Sequence, residues 1–263
     1  MSLIRQKARA RRYFLAGTLL IWSSTAFAIV NMESLHLGKP VVGFSGEFDV
    51  TADAEYGNTE KQSVGTGIKL QWAQEGYTSF VLADYAYGEN AGITNKNKSF
   101  VHVRHIRELG AKLSWEAFSQ ISNNEFTRLN LRALLGGGLR LKLTEDSTQS
   151  AMFLGLEGFY EKEKLNINSS KNDNHSSTLR GNLYLVAKYP FNENVSLLSS
   201  TYYQPDLGEV SDFRAIENAS LVSKLSQDLS LKLGLDIQHD SNPAPGVEHT
   251  DAGLTIGISV SFQ

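Results

Sequence analysis

The chain predicts an all-β fold, an antiparallel up-and-down transmembrane β-barrel of about twelve strands behind a cleaved signal peptide. Three observations predict it. The N-terminus carries an export segment, period-two alternation of apolar and polar residues recurs to the last residue, and the links between alternating segments are short and long in turn.

Residues 1–28 differ from the rest. Arg5, Lys7, Arg9, Arg11 and Arg12 form a basic start, Phe14 to Trp22 a short apolar run, and Ala26-Phe27-Ala28 a small-x-small cleavage pattern. The apolar run has nine residues, against roughly 20 for a membrane-spanning helix. The segment therefore reads as a signal peptide, with residues 29–263 as one exported barrel domain. The basic residues in it are accompanied by no acid, which leaves 20 basic and 28 acidic residues beyond Ala28, a net charge of −8. That balance opposes nucleic-acid binding, which needs a basic face. The chain has no Cys, so disulfide scaffolds, thiolate metal centres and an N-terminal lipidated Cys are excluded.

Because side chains of a strand alternate between faces, each segment can be assigned an apolar and a polar side. Along 40–53, Val42, Phe44, Phe48 and Val50 oppose Ser45, Glu47, Asp49 and Thr51. Along 62–73, Val64, Ile68, Leu70 and Trp72 oppose Gly65, Gly67, Lys69 and Gln71. The segments 77–87 and 98–107 follow, blurred by apolar residues on both faces; 110–121 carries Lys112 and Glu116 on its polar side. In 126–143, Leu129, Leu131, Ala133, Leu135, Leu139 and Leu141 oppose Arg128, Asn130, Arg132, Arg140 and Lys142. The next segments are 150–164, with Glu157, and 176–189, where Leu179, Leu183 and Leu185 oppose Arg180, Asn182 and Lys188. After the blurred 195–204 and 212–224, the pattern is clean again. Leu229 to Ile237 alternate with Ser230, Lys232, Gly234 and Asp236, and Leu254 to Phe262 with small residues, in 229–239 and 250–263.

Short turns at Gln74-Glu75-Gly76, near Glu108, at 145–149, 192–194 and 227–228 alternate with links at 55–61, 88–97, 122–125, 166–175, 206–211 and 241–248. Outer-membrane barrels show this asymmetry, with short periplasmic turns and long outer loops. Aromatics near strand ends suggest two interfacial belts: Trp72, Tyr77, Tyr189, Phe191 and Phe262 at the short-turn end, and Tyr85, Tyr87, Phe159, Tyr160, Tyr202 and Tyr203 at the other.

The terminal strand, Thr255 to Phe262, places Gly257, Ile258, Val260 and Phe262 in a polar-x-Gly-apolar-x-apolar-x-aromatic pattern, with Gln263 beyond. It resembles the C-terminal signal read by the machinery that inserts outer-membrane barrels. The stretch Asp240 to Glu248 with Thr250-Asp251, together with Tyr56-Gly57-Asn58-Thr59 and the Gly-rich Leu135 to Leu141 strand, resembles the salt-induced outer membrane protein family, a domain-of-unknown-function group. The resemblance implies a barrel in the outer membrane of a Gram-negative cell, and no established activity.

Few residues suggest chemistry. His102 and His105 fall on opposite faces of a strand and cannot share a metal. Asp240, Asn242, Glu248 and Asp251 offer oxygen ligands but read better as an acidic, Pro-stiffened loop. No nucleophile elbow, phosphate loop or zinc-protease motif is present, so no catalytic residue, cofactor or metal is expected. The remaining feature is a set of charges on the polar faces, expected to line the lumen: Glu47, Asp49, Lys69, Arg128, Arg132, Arg140, Lys142, Arg180, Lys232 and Asp236, with Lys112, Glu116, Glu157 and Lys188. They could border a narrow passive path or pair across and close it. The expected partners are outer-membrane lipid and the barrel-assembly machinery. The alternatives are a barrel enzyme acting on lipid or peptide, and a soluble periplasmic ligand-binding barrel. A soluble barrel would turn its apolar faces inward, which fits poorly with Gly, Lys and Arg opposite Leu-rich faces.

Overall fold

The computed structural model describes residues 42–55, 61–144, 150–167 and 174–262. The export segment, the Tyr56-Gly57-Asn58-Thr59 stretch, the 145–149 turn and Gln263 lie outside these. The described chain forms twelve strands: β1 (Gly43–Glu55), β2 (Lys61–Gln74), β3 (Tyr77–Asn90), β4 (Ile93–Glu108), β5 (Leu113–Asn124), β6 (Leu129–Lys142), β7 (Ala151–Leu165), β8 (His175–Pro190), β9 (Val195–Pro205), β10 (Phe213–Lys224), β11 (Leu229–Asp240) and β12 (Thr250–Phe262). Each pairs antiparallel with its sequence neighbours, and β12 pairs with β1 to close the barrel. With an even strand number, Gly43 and Phe262 lie at the same end, that of the short turns.

Alternation decides which way each side chain points. Leu233, Leu235, Leu254, Ile256 and Ile258 are exposed on the outside, while Asp236 and Ser259 are buried inside. Apolar residues exposed on the outer surface of strand after strand are a lipid-suited exterior. In water they would form an apolar patch far larger than monomers tolerate.

Three sequence expectations need correction. First, the 88–97 link is mostly strand. Ala91 and Gly92 both take positive φ, 50° and 74°, and close a two-residue turn of the kind that matches strand twist. β4 therefore begins at Ile93; its polar start around Lys96 and Asn97 hid the strand. Second, β6 begins at Leu129, after a 125–128 turn that holds Arg128 at φ 56°. A bulge between Leu129 and Leu131 shifts the register, so Leu129 is buried inside while Leu131 is exposed outside. Third, Phe159 and Tyr202 are interior residues, at 2% and 4% exposure, not members of an outer belt; Tyr160 and Tyr203 are exposed.

The seam between β12 and β1 has its own packing device. Gly46 faces Phe262 across the pair, and a Cβ on Gly46 would lie 2.2 Å from the Phe262 ring. The ring thus covers the bare glycine backbone and hides the last ladder pair. Gly46→Leu should expel the ring, and Phe262→Ser should remove both the packing and the terminal aromatic. Both are expected to lower the amount of heat-modifiable, assembled protein in membranes. Wild-type levels of both variants would show that neither seam packing nor a terminal signal matters.

Candidate functional site in the barrel lumen

The interior is filled by side chains, most densely toward the short-turn end. Among the described residues, every strand but β1 contributes an inward residue less than a tenth exposed, from Lys69 on β2 to Ser259 on β12. Its centre is Glu116 on β5, 2% exposed. Arg104 of β4 donates to its Oε2 at 2.8 Å, Arg140 of β6 to its Oε1 at 3.0 Å, and the Tyr184 hydroxyl of β8 to Oε2 at 2.7 Å. The last of these crosses β6 and β7, a chord through the lumen. Glu157 of β7 adds a second negative charge, 3.8 Å from Arg104, and accepts from Asn182 at 2.6 Å. Two guanidiniums thus meet two carboxylates among the described residues, and this pairing matters because an unpaired charge away from water costs several kcal/mol.

Aromatic side chains complete the filling. Arg104 lies 4.9 Å from the Phe118 ring centre and Arg140 4.0 Å from that of Phe153, close enough for cation–π attraction. Arg104 Nε also donates to His102 Nε2 at 3.3 Å. His102 then accepts at Nε2 and offers Nδ1 to Gln120. His105 points outward and bonds Ser79 instead. Tyr184 reaches Glu116 because Gly155 stands beneath it: a Cβ at Gly155 would come 2.0 Å from the ring. The glycine lets the aromatic lie against the wall.

A second network lies toward the long-loop end. Glu161 and Glu163 of β7 receive Arg214 of β10 through both Nη atoms, at 2.8–3.0 Å. Arg132 of β6 pairs with Glu163, and Arg180 of β8 donates to Glu161 at 3.2 Å and pairs with Asp212 at 2.9 Å. Arg214 Nε reaches Asp240 at 3.0 Å, so that acid is engaged in the lumen. On the opposite wall, Lys232 of β11 pairs with Glu47 and with Asp49 of β1, the latter at 2.8 Å, while Ser259 donates to Glu47. Lys98, Asp84 and Asp251 border one cavity in the lumen.

Of the sequence-selected charges, Glu47, Asp49, Lys69, Arg132, Arg140, Lys142, Arg180, Lys232 and Asp236 fall on inward positions of the register, and Glu116 and Glu157 join them. Arg128 does not. It sits exposed in the 125–128 turn at the mouth, where its guanidinium lies against Gly246 of the β11–β12 loop. Lys112 also lies in a turn, at the other end. Sequence reasoning missed Arg104, Glu161, Glu163 and Arg214. Glu161 and Glu163 share parity with Glu157 and could have been found. Above the second network, a cavity of about 220 Å³ opens toward the long loops, bordered by Lys98, Phe100, Tyr202, Asp240, Pro243 and Val247 among others.

No curated protein matches the chain in sequence. Among solved structures, the chain is similar to a NanC porin (12% identity, 83% of this chain and 99% of that one, TM-score 0.47). It is also similar to a KdgM porin (14% identity, 84% and 99%, TM-score 0.45). The translocator domain of the autotransporter NalP from Neisseria meningitidis is a further neighbour, at 11% identity, covering 88% and 91% with TM-score 0.45. A family model described as "Protein of unknown function, DUF481" matches residues 48–262, and the chain belongs to that family.

Proposed function

We propose that this chain is an outer-membrane barrel with an occluded lumen, a structural or stress-related barrel that conducts only when its interior rearranges. The Leu-rich exterior supports the membrane reading. One observation carries the occlusion: Glu116, held by Arg104, Arg140 and Tyr184 from three other strands, with near-complete burial inside the barrel. Buried charges that satisfy one another are expensive to separate, so the filling is not a loose lining that ions push aside. The reading is non-enzymatic, and takes no cofactor or metal.

Reconstitution in a planar bilayer tests it. The wild-type protein should show long closed intervals and no steady porin-like conductance at moderate voltage. A stable large conductance from the first insertion would overturn the occluded reading in favour of an open channel. Recovery of the protein in the soluble periplasmic fraction would overturn the membrane reading itself.

A further inference from the structure

The long-loop end of β7 sorts its charges by sign. In the run Tyr160-Glu161-Lys162-Glu163-Lys164, Glu161 and Glu163 turn inward to Arg214. Strand alternation then turns Tyr160, Lys162 and Lys164 outward, where all three are exposed. On that outer face Lys162 stands between Ala133 of β6 and Ser177 of β8, and Lys164 between Leu131 and His175. None of these four neighbours is a carboxylate, and among the described residues neither lysine has an ion-pair partner. Lys162 Nζ lies 5.9 Å from the Tyr160 ring centre, so this ammonium turns toward the aromatic belt and not away along the loops. From Met152, the first outward residue of β7, to Lys162 the strand climbs about 25 Å, at roughly 3.3 Å per residue and about 40° of tilt. That is the height of the apolar band of such barrels, so Lys162 stands where lipid head groups begin.

We infer that this β6–β8 face binds a lipid with a phosphate-bearing head group, in the leaflet on the long-loop side, an inference that rests on the membrane reading above. The two ammoniums meet the phosphate, and the Ser177 hydroxyl and the His175 ring offer hydrogen bonds beside it. The surface beneath suits the rest of such a lipid. Tyr160 is flanked by Leu135 and Leu179, and Leu156 by Leu139 and Leu183. Between these two apolar ranks lies Gly158, and a Cβ there would meet only the Arg180 carbonyl oxygen within 4 Å. An acyl chain can therefore pack against bare backbone between Leu135 and Leu156, which are 67% and 70% exposed. Charge decides the occupant. The chain beyond Ala28 has 20 basic and 28 acidic residues, so its overall field repels anionic lipid, and attraction must come from a local basic pair. A zwitterionic lipid would set its own amine against the lysines, and an apolar protein face would leave two ammoniums uncompensated at the edge of hydrocarbon.

The test counts lipid held by the full chain. The protein is extracted from membranes in neutral detergent and mixed with diphosphoryl lipid A, and retained lipid is read by native mass spectrometry. Phosphatidylcholine is the comparison lipid and sodium phosphate the competitor. The wild type should retain lipid A several-fold better than phosphatidylcholine, and sodium phosphate should not displace it. Lys162→Gln combined with Lys164→Gln should lower retention several-fold, and Arg at both positions should keep it. Arg107→Gln removes an outward cation at the short-turn end and should leave retention unchanged. All these positions face outward, so heat-modifiable migration should show each variant assembled. Full retention by the assembled double Gln variant, an equal loss in Arg107→Gln, equal retention of phosphatidylcholine, or displacement by sodium phosphate would each overturn the lipid site and leave the membrane reading standing. A chain found soluble would remove both.

Discussion

Glu116→Ala should loosen the barrel and make it conduct. The substitution leaves Arg104 and Arg140, 2% and 3% exposed, facing each other across the space the carboxylate filled. Breaking one partner out of a buried ion-pair set costs roughly 3–5 kcal/mol, and water entering to hydrate the guanidiniums is the natural relief. We expect a lower urea midpoint, read by loss of heat-modifiable migration, and frequent openings in planar bilayers where the wild type is quiet. Glu116→Gln keeps the volume and two hydrogen-bond sites but loses the charge, and should fall between. Wild-type stability and silence in Glu116→Ala would show that the network neither holds the barrel nor seals it.

The second large effect concerns the exterior. Leu233 on β11 is 46% exposed on the outer face, and Gln238, on the opposite face of the same strand, borders the mouth cavity. An Arg facing lipid near mid-bilayer costs roughly 2–4 kcal/mol, whereas lumen positions are permissive. Leu233→Arg should therefore nearly abolish assembled protein in the membrane fraction, and Gln238→Arg should leave it close to wild type. Lys232 makes a poor comparator for this purpose, since removing it abandons Glu47 and Asp49 side by side. Equal yields of the two Arg variants would place the faces the wrong way round.

How far the sequence carried depended on whether a strand kept its two faces chemically distinct. β11 and β12 alternate Leu or Ile with small and polar residues, and their position, direction and faces were readable residue by residue. β3, β4, β9 and β10 were legible only as strands. The interior is not uniformly polar: Phe80, Leu82, Tyr202 and Ile216 point inward, while Ser199, Thr201 and Glu217 point outward, so both faces look mixed. Arg104 and Arg214 lie in those strands, which is why they escaped notice. Arg128 failed for a different reason. A bulge and a residue with positive φ broke the parity that would have placed it inside. The partners within the networks had no sequence trace at all. That Glu116 meets Tyr184, 68 residues away, follows from how many strands the barrel has and how they tilt, and alternation contains neither.

The seam that Phe262 and Gly46 cover has a further property. β1 is laddered to β2 along its whole length, from Gly43↔Ala73 to Glu55↔Lys61, but to β12 only from Gly46↔Phe262 to Thr51↔Gly257. Beyond Thr51 no pairing with β12 is present among the described residues, and Leu254 and Ile256 of β12 are exposed there. The wall is therefore a zipper fastened from one end only. The free energy of local opening is lowest where ladder bonds are fewest, and this line joins residues from opposite ends of the chain, the contact with the largest loop-closure cost. The barrel should fasten here last and breathe here first, sideways into the bilayer rather than along its axis.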